Sequence, residues 1–296
     1  MARSPLPGTG YDTGRVVMSK RHVLRIVCAD RVGLVHDVTG VLAGRELNIV
    51  SNDEFVEMDT GRFFMRTETL GDMDAGGLEA ALRDMLPHGS LVQLTEMRKK
   101  QIVVLVTKEA HCLGDLLIGC AFGQHSADVR AVIGSRDVLQ ELSGRFDVPF
   151  HHVDHRNKSR EEHECELKKV VEEYEPEYLV LAKYMRILTG FFVEEFAHRI
   201  INIHHSFLPA FAGASPYRQA YERGVKIIGA TAHFVTADLD EGPIIAQDVV
   251  PVTHNQSPQE LTQLGRNVEK AVLARALDLV FDERVFVSGN KTIIFP

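Results

Sequence analysis

Disulfide and zinc frameworks are missing from this sequence. Its four cysteines, Cys28, Cys112, Cys120 and Cys165, show no CxxC spacing, so they imply neither a structural metal site nor a cystine scaffold. No apolar run approaches the ~20 residues that a membrane-spanning helix needs. A basic excess is absent too. The formal net charge is −8, and no Lys/Arg stripe stands ready to neutralise phosphates, which argues against a nucleic-acid partner. Unpaired cysteines and no membrane segment point to the reducing cytoplasm. What remains is an ordinary globular composition, 45% hydrophobic and 25% charged over 296 residues, long enough for two domains. Residues 1–20 read as a disordered lead, because Met1–Gly14 is polar, rich in Gly and Pro, and without the apolar core of a signal peptide.

The first ordered unit spans residues 21–96. His22–Cys28 is a short apolar strand, and Ala29–Gly33 a turn. A helical pattern follows through Leu34, Val38, Val41 and Leu42. Asn48–Val56 and Gly61–Thr67 read as strands joined by a tight turn. Asp74 is placed to cap a second helix, in which Leu78, Ala81, Leu82 and Met85 follow helical spacing. Leu91–Thr95 is a last strand. The order βαββαβ is a split βαβ unit of about 75 residues. A charged linker over residues 97–100 then leads into a second unit, 101–296, with a different rhythm. Gln101–Thr107 is continuously apolar, as a strand covered on both faces should be. Strands at Asp128–Ile133, Tyr178–Leu181 and Ile200–Ile203 alternate with helical stretches, which predicts a doubly wound, mostly parallel sheet. Lys226–Val235 and Pro243–Val250 form an antiparallel pair. Ser257-Pro258-Gln259-Glu260 is a capping box opening a long final helix.

The chemistry concentrates near two strand ends. Asn202 and His204 alternate with Ile201 and Ile203, so both polar groups face one side of a strand that stops at Phe207-Leu208-Pro209. An amide there can donate to a carbonyl oxygen as charge develops, and an imidazole can carry a proton near neutral pH. The plainer alternatives are a turn-capping Asn202 and a satisfied core His204. Asp238, Asp240 and Glu241 crowd the loop between the antiparallel strands. Ordinary turn chemistry would explain them equally well, and spacing alone does not choose among them.

Together these segments resemble a known family. Asn202-Ile203-His204-x-Ser206-x-Leu208-Pro209, His233-x-Val235-Thr236 with Asp240 seven residues after His233, and Met185-Arg186-Ile187-Leu188 after a strand resemble the formyltransferase/hydrolase family that uses 10-formyltetrahydrofolate. The resemblance implies a Rossmann-like catalytic domain with Asn202, His204 and Asp240 as the catalytic set. It also implies a folate pocket at Met185, Arg186, Ile187, Leu188, Ala237 and Leu239, read largely through main-chain groups. His205 and His233 are candidate supporting groups, and neither a metal nor another cofactor is expected. Lys108–Leu116 lacks the glycines of the phosphate-cradling loop found in transferases that act on a ribonucleotide, and no basic C-terminal domain follows Asp240. Water is therefore the expected acceptor, as in the hydrolytic branch of the family, whose reaction releases tetrahydrofolate and formate for purine synthesis and the one-carbon pool. A transferase with an unidentified amine acceptor and a catalytically idle sensor remain as alternatives.

The first unit resembles an ACT (ferredoxin-like) module. That resemblance places an amino-acid effector at Asp30, Gly33, Leu34 and Asn48, with glycine and methionine the first candidates, and implies a homo-oligomer, a dimer or tetramer. On the alternative reading the module only mediates association, with Gly33 serving a turn and Asn48 ending a helix.

Overall fold

The computed structural model describes residues 20–209 and 216–296. The expected lead over residues 1–20 thus lies, but for Lys20, outside the described residues. The chain divides into two compact units, Met1–Met97 and Arg98–Pro296.

In the first unit, β1 (Arg21–Ala29), α1 (Leu34–Ala43), β2 (Asn48–Glu57), β3 (Arg62–Leu70), α2 (Ala75–Met85) and β4 (Leu91–Glu96) follow in order. They form one antiparallel sheet, β2-β3-β1-β4. Leu24, Ile26 and Cys28 alternate along β1 onto one face and meet Val38 and Leu42 of α1 and Leu78 and Leu82 of α2 in a single core. Gly33 takes φ 90° where the chain enters α1, a value glycine adopts without steric cost. Asp74 holds the N-cap position of α2 but makes no side-chain capping bond. Asn48 is the first residue of β2, and α1 already ends at Ala43 with Gly44 as its cap, so Asn48 does not terminate a helix.

The second unit runs β5 (Lys100–Val106), α3 (His111–Ala121), β6 (Ala127–Gly134), α4 (Gln140–Gly144), β7 (Phe150–His152), α5 (Arg160–Glu172), β8 (Tyr178–Leu181), α6 (Gly190–Glu195), β9 (Ile200–His204), α7 (Pro216–Arg223), β10 (Ile227–Phe234), β11 (Ile244–Pro251), α8 (Pro258–Phe281), β12 (Val285–Ser288) and β13 (Lys291–Ile294). Seven strands make one sheet, β11-β10-β9-β8-β5-β6-β7. Pairs from β9 through β7 are parallel, and β10 and β11 add antiparallel at one edge. Helices cover both faces, which is why β5 and β8 are almost uninterruptedly apolar. One core lies under α3 and α8, a second under α5 and α6.

Lys100, expected in the linker, is the first residue of β5 instead. It is 3% exposed, and its Nζ lies 2.6 Å from Glu283 and 3.8 Å from Glu177. A buried cation with two carboxylates reads as part of a charged linker until those distant partners are known. The short β7 and the terminal β12–β13 hairpin also escape periodicity, being only three and four residues long. The capping box of α8 forms as expected, with Ser257 and Glu260 bonding reciprocally.

Candidate active site

Strand β9 sets the first two groups. Ile201 and Ile203 enter the core shared with α8, so strand alternation turns Asn202 and His204 to the other face. In the antiparallel register His233 of β10 lies opposite Asn202. Opposed residues share a face, and Asn202 Nδ2 comes 3.2 Å from His233 Nε2. The His233 Nδ1–H donates to the Phe234 carbonyl at 2.9 Å. Its Nε2 therefore accepts from Asn202 when the ring is neutral. One N–H of the Asn202 amide is thereby fixed and the other is left for a ligand.

Asp240 arrives from the loop after β10. Its φ is 58°, in the left-handed region that non-glycine residues seldom occupy. Gly242 makes that loop possible, since a Cβ there would lie 1.8 Å from the Phe234 carbonyl oxygen. So held, Asp240 Oδ2 stands 3.3 Å from His204 Nδ1, and Oδ1 3.7 Å from His233 Nε2. Burial opposes the carboxylate charge, but His204, and His233 from farther off, outweigh it and keep Asp240 well below the usual carboxylate range. His204 Nε2 is buried with no hydrogen-bond partner among the described residues. With Nδ1 turned to Asp240, Nε2 is the ring atom left for a reacting group.

The opposite wall comes from the segment after β8. Thr107, at the end of β5, accepts from the Met185 N–H at 2.9 Å, and Glu164 of α5 accepts from the Thr189 N–H at 2.7 Å. Tyr184 and Leu188 turn into the core, while Met185 and Ile187 stay half-exposed, as does Leu239 across the cleft. Exposed apolar side chains around a slot suit the faces of a planar ring, with main-chain groups left for its edges. All the residues expected at the catalytic and folate sites (Asn202, His204, His205, His233, Asp240, Met185, Arg186, Ile187, Leu188, Ala237 and Leu239) line this one cleft of about 280 Å³. In the first unit, Asp30, Gly33 and Asn48 are exposed. Leu34 gives its side chain to the core, so only its main chain is open to a ligand.

Sequence reasoning missed a buried network beneath the cleft. Lys183, 4% exposed, stands with φ 63° just before the Met185–Leu188 wall. Its Nζ lies 3.1 Å from Glu269 of α8, which also meets His111 Nε2 at 2.6 Å and accepts from the Tyr217 hydroxyl. Burial raises the Glu269 pKa, but His111, Lys183 and Tyr217 together bring it down to about 2. Gly265 lets Tyr217 reach α8, because a Cβ there would strike its ring at 2.1 Å. The signal was present: Glu269 follows Gly265 by four positions and precedes Val272 by three, so the helical period sets a carboxylate in the buried stripe. His111, Cys112 and Glu269 offer atoms within 4.8 Å of one another. The set fits a metal poorly, because Lys183 already supplies the positive charge, and burial, then Glu269, push the Cys112 thiol up, away from the thiolate a metal takes. Burial, then Lys183 and His204, lower the His205 imidazole to about 4.

Two structural classes meet in this chain. Residues 100–277 match the formyl transferase family and residues 22–86 the ACT domain. Over 275 residues, 93% of this chain and 98% of the relative, it is 54% identical to the formyltetrahydrofolate deformylase of Escherichia coli. It is 40% identical to that of Bacillus subtilis, covering 96% of this chain and 94% of the relative. The crystal structure of a formyltetrahydrofolate deformylase from Pseudomonas syringae superposes with a TM-score of 0.90 at 38% identity, covering 97% of this chain and 96% of that one. A glycinamide ribonucleotide transformylase from Symbiobacterium toebii matches at TM-score 0.65 and 33% identity, over 71% of this chain and all of its own. The chain belongs to the formyltetrahydrofolate deformylase family.

Proposed function

We propose that this protein hydrolyses 10-formyltetrahydrofolate to tetrahydrofolate and formate, feeding formate to purine synthesis and balancing the one-carbon folate pool. The observation that carries this is the convergence of Asn202, His204 and Asp240 beside the Met185–Leu188 wall in one cleft. With the pterin held by main-chain groups of Met185–Leu188 and of the Ala237–Leu239 loop, the N10 formyl group sits between the Asn202 amide and His204. The free Asn202 N–H and the protonated His204 stabilise the oxyanion as water adds to the formyl carbon. A positioned donor of this kind is worth about 10²–10³ in rate. Asp240 holds the water and takes its proton. The two proton movements are coupled: as His204 passes its proton to N10 its hold on the Asp240 carboxylate weakens, so the proton taken from water is retained there until formate leaves. The C–N10 bond then breaks, and tetrahydrofolate, formate and one proton leave. Side chains and water supply every step.

His233 acts by orienting Asn202, and neutral His205 helps to hold water. The enzyme works in the cytoplasm, where a reducing environment suits its free cysteines. The unit comprising residues 21–96 binds an amino acid, glycine or methionine first, at Asp30, Gly33, Asn48 and the Leu34 main chain, in a dimer or tetramer. The deciding experiment is formate release from 10-formyltetrahydrofolate in buffer alone. One formate per folate consumed is expected; formyl transfer only when an amine is added would overturn the hydrolytic reading.

A further inference from the structure

Beside the catalytic cleft lies a second cavity, of about 560 Å³. The two share Lys183, Met185, Arg186 and His205 in their walls. Six cationic side chains line the second cavity: Lys108, Arg136, Lys183, Arg186, Arg218 and Arg266. Among the described residues Glu109 is the one acid in that wall, and it already faces Arg266 Nε at 3.3 Å and His111 Nδ1 at 3.7 Å. Among the described residues Arg218 is paired along its own helix, with Glu222 at 2.9 Å. A concave wall so rich in one sign focuses potential and raises the local concentration of anions.

We propose that this cavity is the exit and holding site for the product anion, a small monocarboxylate, formate first of all. The inference rests on the hydrolytic reading. Folate fills the slot between Met185–Leu188 and the Asp240 loop, so the folate itself closes that side of the formyl carbon. Water must reach the carbon, and formate must leave it, on the side that His205 and Lys183 share with the basic cavity. Formate is created as an anion beside the Lys183–Glu269 pair, and Lys108, Arg136 and Arg186 in the cavity wall offer it counter-charges. A neutral product of the same size would feel no such pull. Product would then be drawn off while tetrahydrofolate is still bound, and formate supplied from solution would occupy the same cavity.

The test is product inhibition in the full-length enzyme. Formate should inhibit non-competitively against 10-formyltetrahydrofolate, acetate more weakly, and neutral formamide not at all. The inhibition should weaken with salt, as screening requires. In Arg136→Gln/Arg266→Gln the formate inhibition constant should rise about tenfold or more, the combined effect of two removed charges, with the KM for folate within about twofold of the parent. Arg136→Lys/Arg266→Lys should restore it, and Arg145→Gln, outside the cavity wall and in an exposed pair with Glu141, should change nothing. An unchanged constant in the double variant, inhibition competitive with folate, or none in the parent would overturn the exit site while leaving hydrolysis intact. An enzyme that releases no formate at all would overturn the hydrolytic reading first.

Discussion

Two imidazoles grip Asp240, and that grip carries consequences at the scale of single residues. Asp240→Asn keeps the shape of the loop but removes the proposed proton acceptor. Turnover should fall by about 10²–10⁴ while the dissociation constant for folate stays within a few-fold, as stopped-flow binding alongside formate release would show. A variant with nearly normal turnover would remove Asp240 from the chemistry. His205 offers a different readout. Its folded-state pKa of about 4 lies below the unfolded value near 6.5, so between the two the unfolded chain binds more protons and stability falls as the pH drops. The full traverse from pH 6.5 to 4 is worth about 3 kcal/mol. In His205→Asn, urea-unfolding free energies should lose that acid-side slope, and curves parallel to the parent's would count against a buried neutral imidazole.

Among the elements, α8 does more than cover the sheet. Its apolar stripe carries Glu269, where a buried carboxylate holds Lys183, His111 and Tyr217 together. Removing one partner of a buried ion pair strands the other, at about 3–5 kcal/mol. Glu269→Gln should therefore destabilise the catalytic unit by that order in thermal unfolding, far beyond the ~1 kcal/mol expected for losing the α8 cap in Ser257→Ala. Comparable losses in the two variants would show that the network contributes little. The loop between β10 and β11 is equally constrained. Gly242→Ala forces a methyl group into the Phe234 carbonyl, so the loop must shift and carry Asp240 with it. The expected result is a fall in kcat with little change in overall stability.

For the whole molecule, the two compact units have separate cores, one built around Leu24 and Leu78, the others around the seven-stranded sheet. Leu24 is fully buried, so Leu24→Ala should cost about 2–5 kcal/mol. Calorimetry should place that loss in one transition and leave the other unmoved; a uniform shift of a single transition would mean that the units unfold together. The amino-acid site proposed at Asp30 is tested at this scale as well. Asp30→Ala should abolish the response of formate release to glycine or methionine without altering the basal rate.

Period and local chemistry, both written in the chain, determined the βαββαβ unit, the alternation of Asn202 and His204 against Ile201 and Ile203, and the capping box at Ser257. Side chains two or four apart on one element share a face whatever lies around them. Proximity across the chain is another matter. That Asn202 stands opposite His233, that Asp240 and neither Asp238 nor Glu241 meets His204, that Lys100 pairs with Glu283 and Lys183 with Glu269, and that a basic cavity adjoins the cleft were decided only by the tertiary structure. Each depends on the register of strands and helices far apart in sequence, and a buried charge reveals its purpose only when its partner is in view.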